Sequence, residues 1–303
     1  MAASSPARIL CSGIAVLDEV FRVPEVPPID TKADATAYVS VSGGCAANAA
    51  FAIARLGGDA SFAGPLGDDD TSERFLTLMN RENVDCSGCV RVPDAALSIS
   101  AILVNDAGQR TIVTHSDQKL LAAAPQGADK LIGNIDCVLV DNRRPNFVSP
   151  VCAAARQKGL PIVLDADKPT SLDDLLLSAA THVIFSAESL KGTTHTADLR
   201  DALLAAHAAV NRFVAVTDGS NGALWCEGGE LQTLPAFQIT AVDTLAAGDV
   251  FHGAFALALA EGREMREAMQ FGSAAAAVKC QRFGGSSTAP TRAEVEAFLR
   301  QQS

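Results

Sequence analysis

The segment 243–255, D-T-L-A-A-G-D-V-F-H-G-A-F, sets two carboxylates, Asp243 and Asp249, on either side of a turn built from small residues. Ala246, Ala247 and Gly248 let the backbone turn tightly and let another group approach it closely. The apolar run that follows has helical composition. A helix starting here points its unpaired N–H groups and positive dipole end back at the turn, which suits a phosphate. A carboxylate beside that phosphate is a poor ligand for it and a good base for a hydroxyl about to attack it. Phosphoryl transfer needs positioning, charge neutralisation and an oriented nucleophile; the turn supplies the second and Asp249 the third. Aspartate is also a common helix N-cap, and this stretch alone leaves both readings open. No G-K-[ST] follows the glycine, so the turn is not a P-loop.

A second constellation lies at 43–48, G-G-C-A-A-N, opening a helical segment at 48–58. Gly43 and Gly44 admit a sugar-sized ligand against the backbone, and Asn48 offers both a donor and an acceptor to hydroxyls. Asp18, read at the end of the first apolar strand, is able to accept from two hydroxyls; cap and turn roles are equally natural for it.

The elements that must position these residues read as follows. R-I-L-C-S-G-I-A-V-L (8–17) is a buried strand, and the segment at 48–58 is a helix closed by glycine. A-S-F-A-G-P-L-G (60–67) is strand then turn, and 71–83 is a capped helix. Short apolar strands at 137–141, 161–167, 182–186 and 213–219 end in polar residues and alternate with helices. That alternation predicts an α/β fold with a mostly parallel sheet and helices on both faces. In such sheets ligands bind beyond the carboxyl ends of the strands, where Asp141, Asp165, Asp167, Ser186 and Thr217 stand. Two segments, 19–42 and 97–117, lack helical character, and the second reads as a hairpin turning at N-D-A-G. They predict a small antiparallel β-sheet lid able to cover a site or pair with a second subunit.

The bulk numbers bound the function. A chain of 303 residues that is 48% hydrophobic builds a sizeable core. A net charge of −11 argues against general binding to nucleic acid or anionic membranes. No apolar run spans a bilayer, and the first residues lack the pattern of a signal peptide. The eight scattered cysteines read as reduced thiols, so a cytoplasmic location is expected. Cys86 and Cys89 form a C-x-x-C without a second pair or a histidine nearby, and read as structural.

Taken together and in this order, the motifs resemble the PfkB, or ribokinase-like, family of carbohydrate kinases. The resemblance rests on G-G-C-A-A-N-A-A-F-A-I-A-R-L-G (43–57), T-D-G-S-N-G-A-L-W (217–225) and D-T-L-A-A-G-D-V-F-H-G-A-F (243–255), and it covers essentially the whole chain. It implies one Rossmann-like domain over 1–303 with a β-sheet lid, ATP as donor and Mg²⁺ as cofactor. By position, Asp249 matches the catalytic base, and Ala247, Gly248 and Asp249 match the backbone anion hole. Ala246 stands where many members carry glycine. Asp18, Gly43, Gly44 and Asn48 match sugar-contacting positions, while Thr217, Gly219 and Gly222 match the nucleotide site. Some members bind a monovalent cation such as K⁺ beside the loop, and Asp243 matches one of its ligands. A homodimer through the lid is a further family expectation. One departure stands out: where the family often has N-x-x-E, this chain has S-A-E-S (186–189), which leaves the role of Glu188 open.

Within the family, the resemblance draws toward sulfofructose kinases and ketohexokinases. A-V-K-C-Q-R-F-G-G (277–285) is similar to their K-C-x-x-x-G ending, and V-L-V-D-N-R-R (138–144) to a strand end carrying a substrate arginine. Arg143 and Lys32 are the candidate contacts to an anionic acceptor, because guanidinium matches sulfonate, carboxylate or phosphate oxygens. Thr114 stands where a sulfofructose kinase would be expected to place an amide. The expected reaction is transfer of the γ-phosphate of ATP to a primary hydroxyl of a small sugar, a ketose at its 1-hydroxyl. 6-Deoxy-6-sulfofructose, ribose and fructose are alternative acceptors. A nucleoside kinase and a catalytically silent sugar sensor are the rival classes; a dehydrogenase is disfavoured because no G-x-G-x-x-G follows the first strand. His252 is expected to pack within its helix, and His115 lies on the lid hairpin.

Overall fold

The computed structural model describes residues 5–302. Its strands are β1 (Arg8–Ser12), β2 (Val16–Arg22), β3 (Ala37–Gly43), β4 (Asp59–Ala63), β5 (Pro65–Gly67), β6 (Val90–Val92), β7 (Ser98–Val104), β8 (Arg110–His115), β9 (Cys137–Asp141), β10 (Ile162–Ala166), β11 (His182–Ser186), β12 (Phe213–Thr217), β13 (Ala223–Glu227) and β14 (Glu230–Leu234). Eight of them form one sheet in the order β14-β13-β12-β11-β10-β9-β1-β4. All its pairings are parallel except β12–β13 and β13–β14 at one edge. Strands such as β9, C-V-L-V-D, are apolar without alternation because both faces are covered. Ile9, Cys11 and Leu139 face one core with the helices Cys45–Arg55, Ala247–Ala260 and Met265–Cys280; Leu10, Val138 and Val140 face another with the helices Pro145–Gln157 and Leu199–Val210.

The lid is the four-stranded sheet β3-β2-β7-β8. Its β2–β3 and β7–β8 pairs are antiparallel as expected, while the central β2–β7 pairing is parallel. The N-D-A-G turn closes β7 on β8, with Gly108 at φ 74°. Strand β7 alternates buried and exposed residues, so one lid face covers the main body and the other meets solvent.

Two sequence expectations are corrected. The segment 8–17 is not one strand: it breaks at Gly13, so β1 stays in the main sheet and β2 departs into the lid. Gly13 is needed there, since a Cβ would overlap the Asp141 carboxylate at 2.0 Å from Oδ2. Asp18 therefore sits in the interior of β2, on the lid, rather than at the end of the first strand. The helix expected at 48–58 begins at Cys45, which places Asn48 one turn inside it.

Candidate active site

The phosphate turn is built by Asp243 through Asp249. Ala246 takes a left-handed conformation, φ 61° and ψ 11°, and immediately precedes the helix Ala247–Ala260. Aligned N–H groups of the first helical turn thus open toward solvent, and a Cβ at Gly248 would meet nothing within 4 Å. The helix behind is buried on all sides. It packs against the Cys45–Arg55 helix so closely that a Cβ at Gly253 would lie 2.6 Å from the Ala49 carbonyl oxygen. That contact fixes the two signature helices against each other. It brings Asn48 to Asp249, with Asn48 Nδ2 donating to Asp249 Oδ2 at 2.7 Å.

Burial, only partly offset by Asn48, pushes the Asp249 carboxyl up to about 7. Asp18 is pushed up to about 6, again chiefly by burial and against a hydrogen bond from Ser100. Asp18 also lies directly under Gly43, where a Cβ would come 2.3 Å from its carboxylate. Gly44, at φ 98°, has no room either, since its Cβ would reach 2.2 Å from the Ile14 carbonyl. The Oδ1 of Asn48 is buried without a hydrogen-bond partner. A buried acceptor left unpaired costs free energy until a donor reaches it. Asp18, Gly43, Gly44, Asn48 and Asp249, as expected from the sequence, converge on one site.

Residues to which the sequence reading gave a place but no role complete the walls. Cys45 Sγ and carboxylate oxygens of Asp165 and Asp249 all lie within 4.8 Å of one another. Burial, then the charges of Asp249 and Asp165, push the Cys45 thiol well up, so it stays protonated. Burial and neighbouring Asp167 likewise raise Asp165. Asp141 is a clip rather than a ligand: it accepts from the amides of Ile14 (2.8 Å), Arg143 (2.9 Å) and Ala46 (3.1 Å). It thereby ties the β1–β2 break, the start of the Cys45–Arg55 helix and the end of β9 together. The only sequence signal for these groups was their place at strand ends or beside the double glycine.

Other candidates divide. His252 gives a short hydrogen bond to the Gly248 carbonyl (2.7 Å) and sits 3.5 Å from Asp165. Burial lowers its pKa; it packs under the turn as expected. His115 is exposed on β8, and Lys32 is exposed on the lid segment before β3. Arg143 is committed elsewhere, with Nε donating to Asp167 Oδ2 at 2.8 Å and Nη2 to the same oxygen. An anion contact by Arg143, as expected of the pair, would have to compete with Asp167. Thr114 pairs with Ser100 on the lid at 2.9 Å. Glu188 is exposed, and Ser186 in the altered N-x-x-E stretch caps its helix by accepting from the Ser189 amide at 3.2 Å.

The Thr217–Gly222 loop follows β12. Gly219 and Gly222 have φ of 51° and 94°, and a Cβ at Gly222 would collide with the Leu234 carbonyl at 2.1 Å. Gly219 faces open space.

Residues 6–292 match the model of the pfkB family carbohydrate kinases. The chain belongs to that family. It is 31% identical over 271 residues to a ribokinase from Haemophilus influenzae, covering 86% of this chain and 88% of the relative. A crystal structure of a provisional ribokinase from Agrobacterium tumefaciens superposes with a TM-score of 0.94 at 39% identity, covering 98% of both chains. Ribokinase from Arabidopsis thaliana, solved with ribose and ATP, shares the fold at a TM-score of 0.82 and 24% identity, covering 98% of this chain and 99% of that one. This carbohydrate kinase is thus an ATP-dependent phosphotransferase of the ribokinase-like fold, with the sheet and lid foreseen in its sequence. Among the described residues, no helix is long and apolar enough to cross a membrane.

Proposed function

We propose that this carbohydrate kinase transfers the γ-phosphate of ATP to a primary hydroxyl of a small, uncharged sugar. The observation that carries this reading is the Asn48–Asp249 pair over the left-handed turn at Ala246. A sugar lies on Gly43 and Gly44, with hydroxyls shared between Asp18 and the unpaired Asn48 oxygen. Asp249 takes the proton of the hydroxyl that attacks phosphorus. The amides of Ala247, Gly248 and Asp249 receive the charge building on the phosphoryl oxygens, which act best when fixed in place beforehand. Thr217, Gly219 and Gly222 hold the nucleotide. The carboxylates of Asp165, Asp167 and Asp249 fit Mg²⁺ in charge and would hold it with the ATP phosphates, where it would supply charge neutralisation.

The uncharged acceptor is supported by the wall itself. Asp18, Asp165, Asp167 and Asp249 oppose an anion, and Arg143 is neutralised by Asp167. Ribose, as in the names of the relatives, and the 1-hydroxyl of a neutral ketose such as fructose are the leading acceptors. A homodimer through the lid is supported by the exposed Tyr38, Ile99, Ile112 and Val113 on that sheet and by the unpaired edge of β8. A cytoplasmic location is supported by eight unpaired thiols.

The test is ADP release from Mg·ATP across ribose, fructose, sulfofructose, 2-keto-3-deoxygluconate and adenosine, with Asp249→Asn alongside. Strong turnover of a neutral sugar, lost in the variant while ATP still binds, is the expected result. Preferential turnover of sulfofructose or adenosine would overturn the acceptor reading, and an active Asp249→Asn would overturn the assignment of the base.

A further inference from the structure

The phosphate turn begins at a residue with an unusual partner. Asp243 is completely buried, and so is Lys279, near the end of the Met265–Cys280 helix. Lys279 Nζ donates to the Asp243 backbone oxygen at 2.8 Å and lies 3.2 Å from its Oδ2. The same Oδ2 accepts from the amides of Gly284 (3.0 Å) and Gly285 (2.9 Å), while Oδ1 accepts from the Leu245 amide (2.8 Å). Every oxygen Asp243 would offer a cation is therefore already taken. The Asp243 amide is held from the same helix end, donating to the Cys280 carbonyl at 3.2 Å.

A fully buried lysine is rare unless it is paired, and placing two charges out of water costs free energy that good geometry must offset. Here the geometry is complete, and its product is positional. Leu245 is held by Asp243, and Leu245 is next to Ala246, whose left-handed backbone starts the anion-binding helix. An ammonium carries one positive charge, as K⁺ does, and coordinates oxygens in the same manner. A second monovalent cation bound to the oxygens that already hold an ammonium would meet direct like-charge repulsion. The monovalent cation expected at Asp243 from the family resemblance does not fit this chain.

We infer that Lys279 is a tethered cation: its ammonium replaces a dissolved monovalent ion in organising the 243–249 turn, so this kinase needs no K⁺. Lys279 acts through Asp243 and Leu245 as a positioning residue and touches neither substrate. The inference rests on the kinase reading only for the part measured as turnover.

The experiment compares the wild type and Lys279→Ala in K⁺-free tetramethylammonium buffer and in the same buffer with added K⁺ or propylammonium. Thermal unfolding, calorimetric ATP binding and sugar-dependent kcat are all recorded. The wild type is expected to be unchanged by K⁺ in all three, within about twofold for affinity and rate. Lys279→Ala is expected to lose roughly tenfold or more in kcat, about 1.4 kcal/mol, and to regain part of it saturably with K⁺ or propylammonium, together with a rise in unfolding temperature. A wild type whose ATP affinity or melting point climbs saturably with K⁺ overturns the inference, and that arm stands even if Lys279→Ala does not fold. A folded Lys279→Ala with full kcat and no cation response overturns it too. Failure of the kinase reading looks different: no ATP binding in any salt, with the melting comparison still deciding the role of Lys279.

Discussion

Asn48 and Asp249 stand 201 residues apart in sequence and 2.7 Å apart in space, amide donor to carboxylate acceptor. The pair links the sugar-facing helix to the phosphate turn. It also leaves the other oxygens of both side chains for the ligand. Asn48 stabilises the ionised form of Asp249, while burial and the surrounding carboxylates oppose it, and burial is the largest effect.

The first prediction is a pH profile. Asp249 must be unprotonated to accept the hydroxyl proton, and its pKa is raised to about 7. In single-turnover assays with saturating Mg·ATP, the rate should rise with pH up to about 7 and then level off, falling roughly tenfold per pH unit below. A flat profile between pH 5.5 and 8 would mean that some other group receives the proton.

The same carboxylate lowers stability. A folded-state pKa above the unfolded value means the folded chain binds the extra proton, so this contribution to stability is lost as pH rises from about 4 through about 7. Above pH 7 the full cost applies. Asp249→Asn keeps an acceptor for Asn48 and removes the charge. At pH 8 the variant should unfold at a higher temperature than the wild type, by about 1 kcal/mol after allowing for solvent screening at this half-open site, and the gap should narrow by pH 5 and close below about pH 4. Equal melting curves at both pH values would refute the assigned burden.

Gly43→Ala tests the sugar platform. Its Cβ would be 2.3 Å from the Asp18 carboxylate, so Asp18 must move away from the hydroxyls it binds. KM for the sugar is expected to rise by about tenfold, about 1.4 kcal/mol, while KM for ATP holds. A rise in the ATP constant instead would place the acceptor elsewhere.

Arg143→Gln tests the charge of the acceptor. With its guanidinium already given to Asp167, its loss should leave the preference between fructose and sulfofructose within about threefold, far short of the ~3 kcal/mol that leaving a desolvated charge unpaired costs. A selective collapse of sulfofructose turnover would revive the anionic substrate.

Much of this was legible beforehand because local rules and tertiary structure agree. The strands at 137–141, 161–167, 182–186 and 213–219 are apolar runs ending in polar residues, and they became four neighbouring parallel strands of the main sheet, with Asp141 and Asp165 at the ends of two of them. The turn at Ala246 and the buried carboxylate proposed as the base, Asp249, were written in one short segment. What failed was decided by contacts distant in sequence. The break at Gly13 exists because Asp141, from another strand, fills the space beside it. Asp18 was misplaced by that break. The parallel join of β2 to β7 has no local signal at all. Arg143 looked like an anion contact because its partner, Asp167, lies on a different strand end. Asp243 was read as a cation ligand, and Lys279 only as part of the K-C-x-x-x-G ending, because their pairing forms only when the helix end is brought under the turn.

The order of strands in the main sheet also sets a schedule. β1 is flanked by β4, which follows it closely in the chain, and by β9, which comes about a hundred residues later. A ribosome releases Gly43, Gly44 and Asn48 some two hundred residues before Asp249, with Lys279 and the two glycines that grip Asp243 later still. Domains tend to form from the N-terminus as they are synthesised. A single domain folds as a unit, so the Asn48–Asp249 contact and the grip of Lys279 on Asp243 join parts of the chain made far apart in time.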